Sequence, residues 1–188
     1  MPEQPSTTRP VAPVWRRRPL VLLLIAAAVL AIALALYTAL SPGGKHQHPA
    51  GPPAAGPAVT AHTLQGKQVR VPDGSRPGVL FFFSATCGNC GPSARAVGQA
   101  QQAAGSKAAF VAVDIDPSDS EQAIEEFLTA NQATGVAFTR DTHAALMSGC
   151  QVTQPSTVVV LDIPGTVVFR AVEPTAAQIG AQLAKLGA

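Results

Sequence analysis

Residues 81–99 read FFFSATCGNCGPSARAVGQ: an apolar run stops, two cysteines follow with two residues between them, and a segment rich in Ala and small polar residues begins. With Val79 and Leu80 in front, the run 79–84 has the length of a strand and no polar interruption, which is the pattern of a strand covered on both faces. From Cys90 to about Ala104 the sequence predicts a helix, with Pro92 in its first turn and Gly105 as its stop. Cys87 and Cys90 therefore fall where a central strand turns into a helix.

Strand and helix signals continue on both sides of this point. Residues 59–71 predict two short strands around Gln65-Gly66-Lys67. Residues 108–115 (AAFVAVDI) predict a second buried strand, and Ser118-Asp119-Ser120-Glu121 has the form of a capping box opening a helix. In that helix Ala123, Ile124, Phe127 and Leu128 form the apolar stripe, while Glu121, Glu125 and Glu126 face out. A short strand over 136–139 and a short helix over 142–147, capped by Asp141, come next. Strands at 157–161 and 167–170 flank a Pro-Gly turn at 162–165, and a helix over 175–186 closes the chain. The order β-β-β-α-β-α-β-α-β-β-α predicts an α/β fold, a sheet with helices on both faces.

Upstream the composition changes. Residues 1–19 are polar and Pro-rich and end in Trp15-Arg16-Arg17-Arg18-Pro19, whereas residues 20–40 carry no charge. A helix of that length, at about 1.5 Å per residue, crosses a hydrocarbon core of roughly 30 Å. The three arginines before it, with Lys45 alone after it, place 1–19 in the cytoplasm and the rest outside, as a single-pass protein of a cytoplasmic membrane. A cleaved signal peptide is the competing reading, although its apolar region is normally shorter, about 7–15 residues. Residues 41–58, rich in Pro, Gly and Ala, read as a linker, and His46-Gln47-His48 within it as solvated histidines. Residues 59–188 form the globular domain. A formal net charge of +2 is no nucleic-acid footprint, so no such partner is expected. An exported domain lies in an oxidising or mixed redox space, where cysteines either staple or exchange.

Cysteines at i and i+3 can close a small disulfide, supply two thiolates to a metal, or sit inert in a core. A four-cysteine zinc site needs a second pair, and the chain offers only Cys150, with His62 and His143 as conceivable partners. At a strand-to-helix junction the first-turn amides are unpaired and the helix dipole is positive, so a thiolate at Cys87 is stabilised and nucleophilic. Cys90, one turn in, is placed to be shielded and to resolve a mixed disulfide formed by Cys87.

VLFFFSATCGNC resembles the strand–loop–helix active site of the thioredoxin superfamily. The segment 61–71 resembles the opening hairpin of its membrane-anchored TlpA-like branch, and 150–162 resembles the segment around that family's cis-proline. The resemblance implies a thioredoxin-like fold with a mixed central sheet over 59–188. It also implies thiol–disulfide exchange by Cys87 and Cys90, without cofactor or metal, on protein thiol or disulfide substrates. Thr86, Gly88, Asn89, Gln154 and Pro155 would contact the substrate, with a cis Gln154–Pro155 bond leaving the Gln154 backbone free to pair with an extended strand. A transmembrane thiol-relay partner would supply electrons if the protein is a reductant, for example in cytochrome c or copper-site maturation. A disulfide-inserting oxidant and a metal- or partner-binding module are the alternatives. Three departures stand out: Thr86 replaces a Trp before the first cysteine, Phe81 replaces a buried acid, and Ser93 replaces an acid early in the helix. Proton handling then falls to water, Cys90 or a group the sequence does not identify. Cys150 either fills the core or serves as an accessory thiol near the pair.

Overall fold

The apolar run around residue 80 becomes strand β3 (Gly78–Phe83), and all six of its residues are buried. The structure, a computed structural model, describes residues 56–188. The expected tail (1–19), the membrane anchor (20–40) and nearly all of the linker (41–58) lie outside the described residues. Among the described residues, no helix is long and apolar enough to cross a membrane.

The element order is the expected one. Strands β1 (Val59–His62) and β2 (Gln68–Val71) precede β3; then come α1 (Cys90–Ala104), β4 (Ala109–Asp114), α2 (Glu121–Ala130) and β5 (Ala137–Arg140). Helix α3 (Ala145–Gly149), strands β6 (Thr157–Leu161) and β7 (Val167–Val172), and helix α4 (Ala176–Lys185) complete the domain. The seven strands form one mixed sheet in the order β2-β1-β5-β4-β3-β6-β7. The parallel pairs are β3 with β4 and β4 with β5, joined by the crossover helices α1 and α2. Strand β6 lies antiparallel on the other side of β3, with Gly78 opposite Leu161 and Phe82 opposite Thr157.

Strand alternation divides the interior into two cores. Val79, Phe81 and Phe83 point to one face, where Cys90, Val97, Ile124, Leu128, Ile179 and Leu183 from α1, α2 and α4 cover them. Leu80 and Phe82 point to the other, with Val111, Val113, Val159 and Cys150. Phe83 stacks between Phe81 (centroids 5.3 Å) and Phe127 (4.9 Å), which ties the end of β3 to α2 just before the cysteines. Burying a phenylalanine side chain stabilises the fold by about 2–3 kcal/mol, so this stack fixes where β3 ends.

Two caps differ from expectation. Ser120, not Ser118, is the N-cap of α2 and accepts from the Ala123 N–H at 3.1 Å. Ser118 is instead drawn back to Asp116, whose carboxylate accepts its N–H and its hydroxyl. Asp141 does cap α3, but from further upstream: it accepts the Leu146 and Met147 N–H groups at 3.1 and 2.8 Å.

Candidate active site

Cys87 and Cys90 form a disulfide with Cα atoms 5.5 Å apart. Cys90 opens α1 and is completely buried, whereas Cys87 is half-buried between exposed Thr86 and Gly88. Two tight turns set this up: the Cys87 N–H donates to Ser84 O at 3.1 Å, and the Cys90 N–H donates to Cys87 O at 3.2 Å. Asn89 stands at the N-cap but its side chain makes no capping hydrogen bond, and the first turn of α1 carries no acid. The positive end of the helix is thus left for Cys87 to use.

The residue facing the buried sulfur is Ser156. Its hydroxyl donates to Cys90 Sγ at 3.3 Å in a buried setting. Ser156 sits at φ 60°, a left-handed conformation, and its carbonyl accepts the Glu173 N–H at 2.8 Å. This corrects the expectation for Pro155. Among the described residues the cis X-Pro bond is Val71–Pro72, and Gln154–Pro155 is trans. The side chain brought onto the buried sulfur is that of Ser156, the residue after Pro155. The Gln154 carbonyl is also engaged, accepting from Thr157 Oγ1 at 2.8 Å, so the free backbone expected there is partly used.

Beside the disulfide lies a groove of about 630 Å³, whose lining includes Gly88, Asn89, Pro92, Arg95, Glu173 and Thr175. The groove brings the two central residues of the motif together with the β7–α4 connection; Gln154 and Pro155 are not part of it. Ser93, also on its wall, is buried and its Oγ has no partner.

The apolar end of β3 is followed by a buried polar cluster. Asp119 accepts Ser84 Oγ at 2.9 Å and the Ala85 N–H at 2.7 Å, and Ser84 Oγ lies 2.9 Å from Thr86 Oγ1. Asp114, the last residue of β4, is 1% exposed and neither of its carboxyl oxygens is hydrogen-bonded. Burial first, and then the neighbouring Asp119 carboxylate, push the Asp114 carboxyl up to about 7. Ser84, Asp114, Asp119 and Ser156 were not singled out from sequence. The available signal was an acid terminating the otherwise apolar AAFVAVD, since a buried charge is the informative exception.

Cys150 is fully buried in the second core, on the face of the sheet opposite Cys90. It fills space there and does not approach the pair, and burial pushes its thiol up to about 12. Neither His62, on β1, nor His143, bonded to Thr142, joins a metal cluster; no group of three or more metal-ligating side chains occurs among the described residues.

No family model matches the chain. It is 43% identical over 141 residues to a Streptomyces lividans protein described as mercury resistance operon ORF3, covering 73% of this chain and 74% of that one. Among solved structures it is similar to StoA from Bacillus subtilis (TM-score 0.57, 23% identity, 69% of this chain and 98% of that one). A thiol:disulfide interchange protein of the thioredoxin family from Chlorobium tepidum gives a TM-score of 0.59 at 18% identity, covering 73% and 99%. A secreted Mycobacterium tuberculosis disulfide oxidoreductase gives 0.56 at 20%, covering 68% and 96%. At these identities the likeness establishes the fold, which is thioredoxin-like.

Proposed function

The chain belongs to the family of the Streptomyces lividans mercury resistance operon ORF3 protein; from the Cys87–Cys90 pair on a thioredoxin-like fold we propose that it is a thiol–disulfide oxidoreductase acting on protein substrates. The observation that carries the reading is the asymmetry of the pair: Cys87 is reachable at the uncapped start of α1, and Cys90 is sealed beneath it. In the reducing direction the Cys87 thiolate attacks a substrate disulfide, forming a mixed disulfide and releasing one substrate thiolate. Cys90, deprotonated, then attacks Cys87 Sγ, which releases the second substrate thiolate and leaves the Cys87–Cys90 disulfide. Two electrons pass to the substrate, and the protons lost by the two cysteines balance those its two sulfurs take up. The groove beside Gly88 and Asn89 is the surface on which the substrate chain lies.

The uncharged segment 20–40 anchors this domain outside the cytoplasmic membrane, where a transmembrane thiol-relay partner returns electrons to it. Reduction of envelope proteins, such as apocytochromes c or copper-site cysteines, is the direction favoured, because Gly88-Asn89 adds neither charge nor histidine that would hold the thiolate of a strong oxidant. Cys90→Ser should trap mixed disulfides through Cys87, visible as protein adducts that reductant dissolves. An absence of adducts, with Cys87 inert toward alkylating agents at neutral pH, would sink the reading.

The origin of the relative in a mercury resistance operon supports a second reading: the reduced pair offers two thiolates to a soft divalent ion such as mercuric ion. Titration of the reduced protein with mercuric chloride decides it. Stoichiometric binding that is lost in Cys87→Ser favours a carrier role, and no protection of the thiols removes it.

A further inference from the structure

Behind the active-site loop the domain buries two acids that the exchange chemistry has not yet used. Asp119, 3% exposed, lies in the connection into α2, next to the N-cap Ser120. It receives two donors, the Ser84 hydroxyl and the Ala85 amide. Because the Ser84 proton goes to Asp119, the Thr86 hydroxyl donates back to Ser84 Oγ, which also accepts the Thr86 N–H at 3.2 Å. This relay ends one residue before Cys87, whose own amide is held by Ser84 O.

Asp114 stands at the other end. It pairs with Phe83 on β3 and Arg140 on β5 in the sheet register, and its carbonyl accepts the Asp141 N–H. The groups facing its carboxyl are Asp119 and Asp116 from the loop and Arg140 from β5; Asp119 raises it, while the Asp116 amide and the Arg140 guanidinium oppose the rise. The Asp141 carboxylate is turned away, onto the α3 amides. Two buried carboxyls side by side do not both ionise readily. Asp119 already accepts two hydrogen bonds, whereas the Asp116 amide is the one donor near Asp114 and neither Asp114 oxygen has a completed hydrogen bond, so the shared proton sits on Asp114 with its O–H turned toward Asp119.

We propose that Asp114 and Asp119 form a carboxyl pair that shares one proton in mildly acidic solution and releases it around neutrality, positions the Ser84–Cys87 loop through Ser84 and Thr86, and sets the reactivity of Cys87 by its charge. The proposal rests on the thiol–disulfide reading above. While the proton is held, the pair carries one negative charge. When it is lost, a second negative charge appears behind the loop and disfavours the Cys87 thiolate. The pair is a positioning element, since neither acid touches a sulfur.

The test is the rate of Cys87 alkylation by iodoacetamide in the reduced full-length chain from pH 5 to 9, beside carbon NMR of the Asp114 carboxyl. The expected wild-type profile has an inflection near pH 7 in addition to that of the thiol, and the carboxyl titrates at the same pH. Asp114→Asn should remove the inflection and raise the rate above pH 7 by roughly three- to tenfold, from one fewer charge at loop distance. A variant profile that superimposes on the wild type overturns the proposal, as does an Asp114 carboxyl that titrates at the ordinary carboxylate pH. Because the NMR measurement uses unaltered protein, it decides even if Asp114→Asn misfolds. A wild-type Cys87 that is inert at every pH refutes the oxidoreductase reading itself, and with it the coupling, whereas a reactive Cys87 with a flat response refutes only the pair.

Discussion

Removing the Ser156 hydroxyl should make the Cys87–Cys90 disulfide harder to reduce. The hydroxyl donates to Cys90 Sγ at 3.3 Å, in a site with no water-exposed alternative. A disulfide sulfur is a weak acceptor and a thiolate a strong one, so the bond tightens when the pair is reduced. Hydrogen bonds to charged groups contribute about 1.5–3 kcal/mol, and a sulfur acceptor at this distance weakens that to about 1–2 kcal/mol. For a two-electron couple this corresponds to roughly 20–45 mV. Ser156→Ala should therefore lower the reduction potential by that amount, measured by equilibration against a glutathione or dithiothreitol buffer. The shift should appear fully only where Cys90 is ionised in the reduced protein and should fade at low pH. Since Ser156 lies at φ 60°, Ser156→Gly supplies a control that relieves the backbone while also losing the hydroxyl. Equal potentials for wild type and both variants, or a shift to less negative values, would refute the assignment.

Three further outcomes follow from the packing. The Asp114 carboxyl is raised to about 7 in the fold, so the folded chain binds the extra proton between about pH 4 and 7, and stability should fall as pH rises through that window. The contribution is at most about 4 kcal/mol; denaturant midpoints against pH should show the slope, and Asp114→Asn should flatten it. Gly98→Ala, which in an open helix would stabilise by about 1 kcal/mol, should instead destabilise, because the new Cβ would lie 2.5 Å from the Gln132 carbonyl. A raised melting temperature would contradict that contact. Cys150→Ala should lower stability by about 1–3 kcal/mol through a small cavity and leave the reduction potential unchanged; a shifted potential would mean that Cys150 communicates with the pair.

The order of elements was legible because its signals are local: apolar runs of strand length, a proline in the first turn of a helix, Pro-Gly between two strands. The start of α1 at Cys90, and hence the unequal exposure of the two cysteines, follows from the same signals. What escaped was set by direction in space. That Asp119 reaches back to Ser84 depends on where β3 ends relative to the α2 connection, and sequence spacing does not encode that. Ser156 was overlooked for a related reason. A proline attracts attention, but which residue of Gln154-Pro155-Ser156 meets the disulfide depends on how the chain enters β6, and there the left-handed turn belongs to Ser156. The place of Cys150 could not be read either, because facing the pair or its opposite is a matter of the parity of contacts across the whole sheet.

The sheet also works as a partition for sulfur. Three cysteines in one chain allow three pairings, and in an oxidising space a nascent chain samples all of them. Closing the loop between Cys87 and Cys90, three residues apart, is favoured over a loop of about sixty residues to Cys150 by about 2–3 kcal/mol of chain entropy. That bias holds only while the chain is open. Once β3 and β6 pair, the alternating strands consign Cys150 to the far side of a continuous layer of backbone, and mispairing requires the sheet to come apart. The odd thiol is thereby quarantined by the same alternation that builds the two cores.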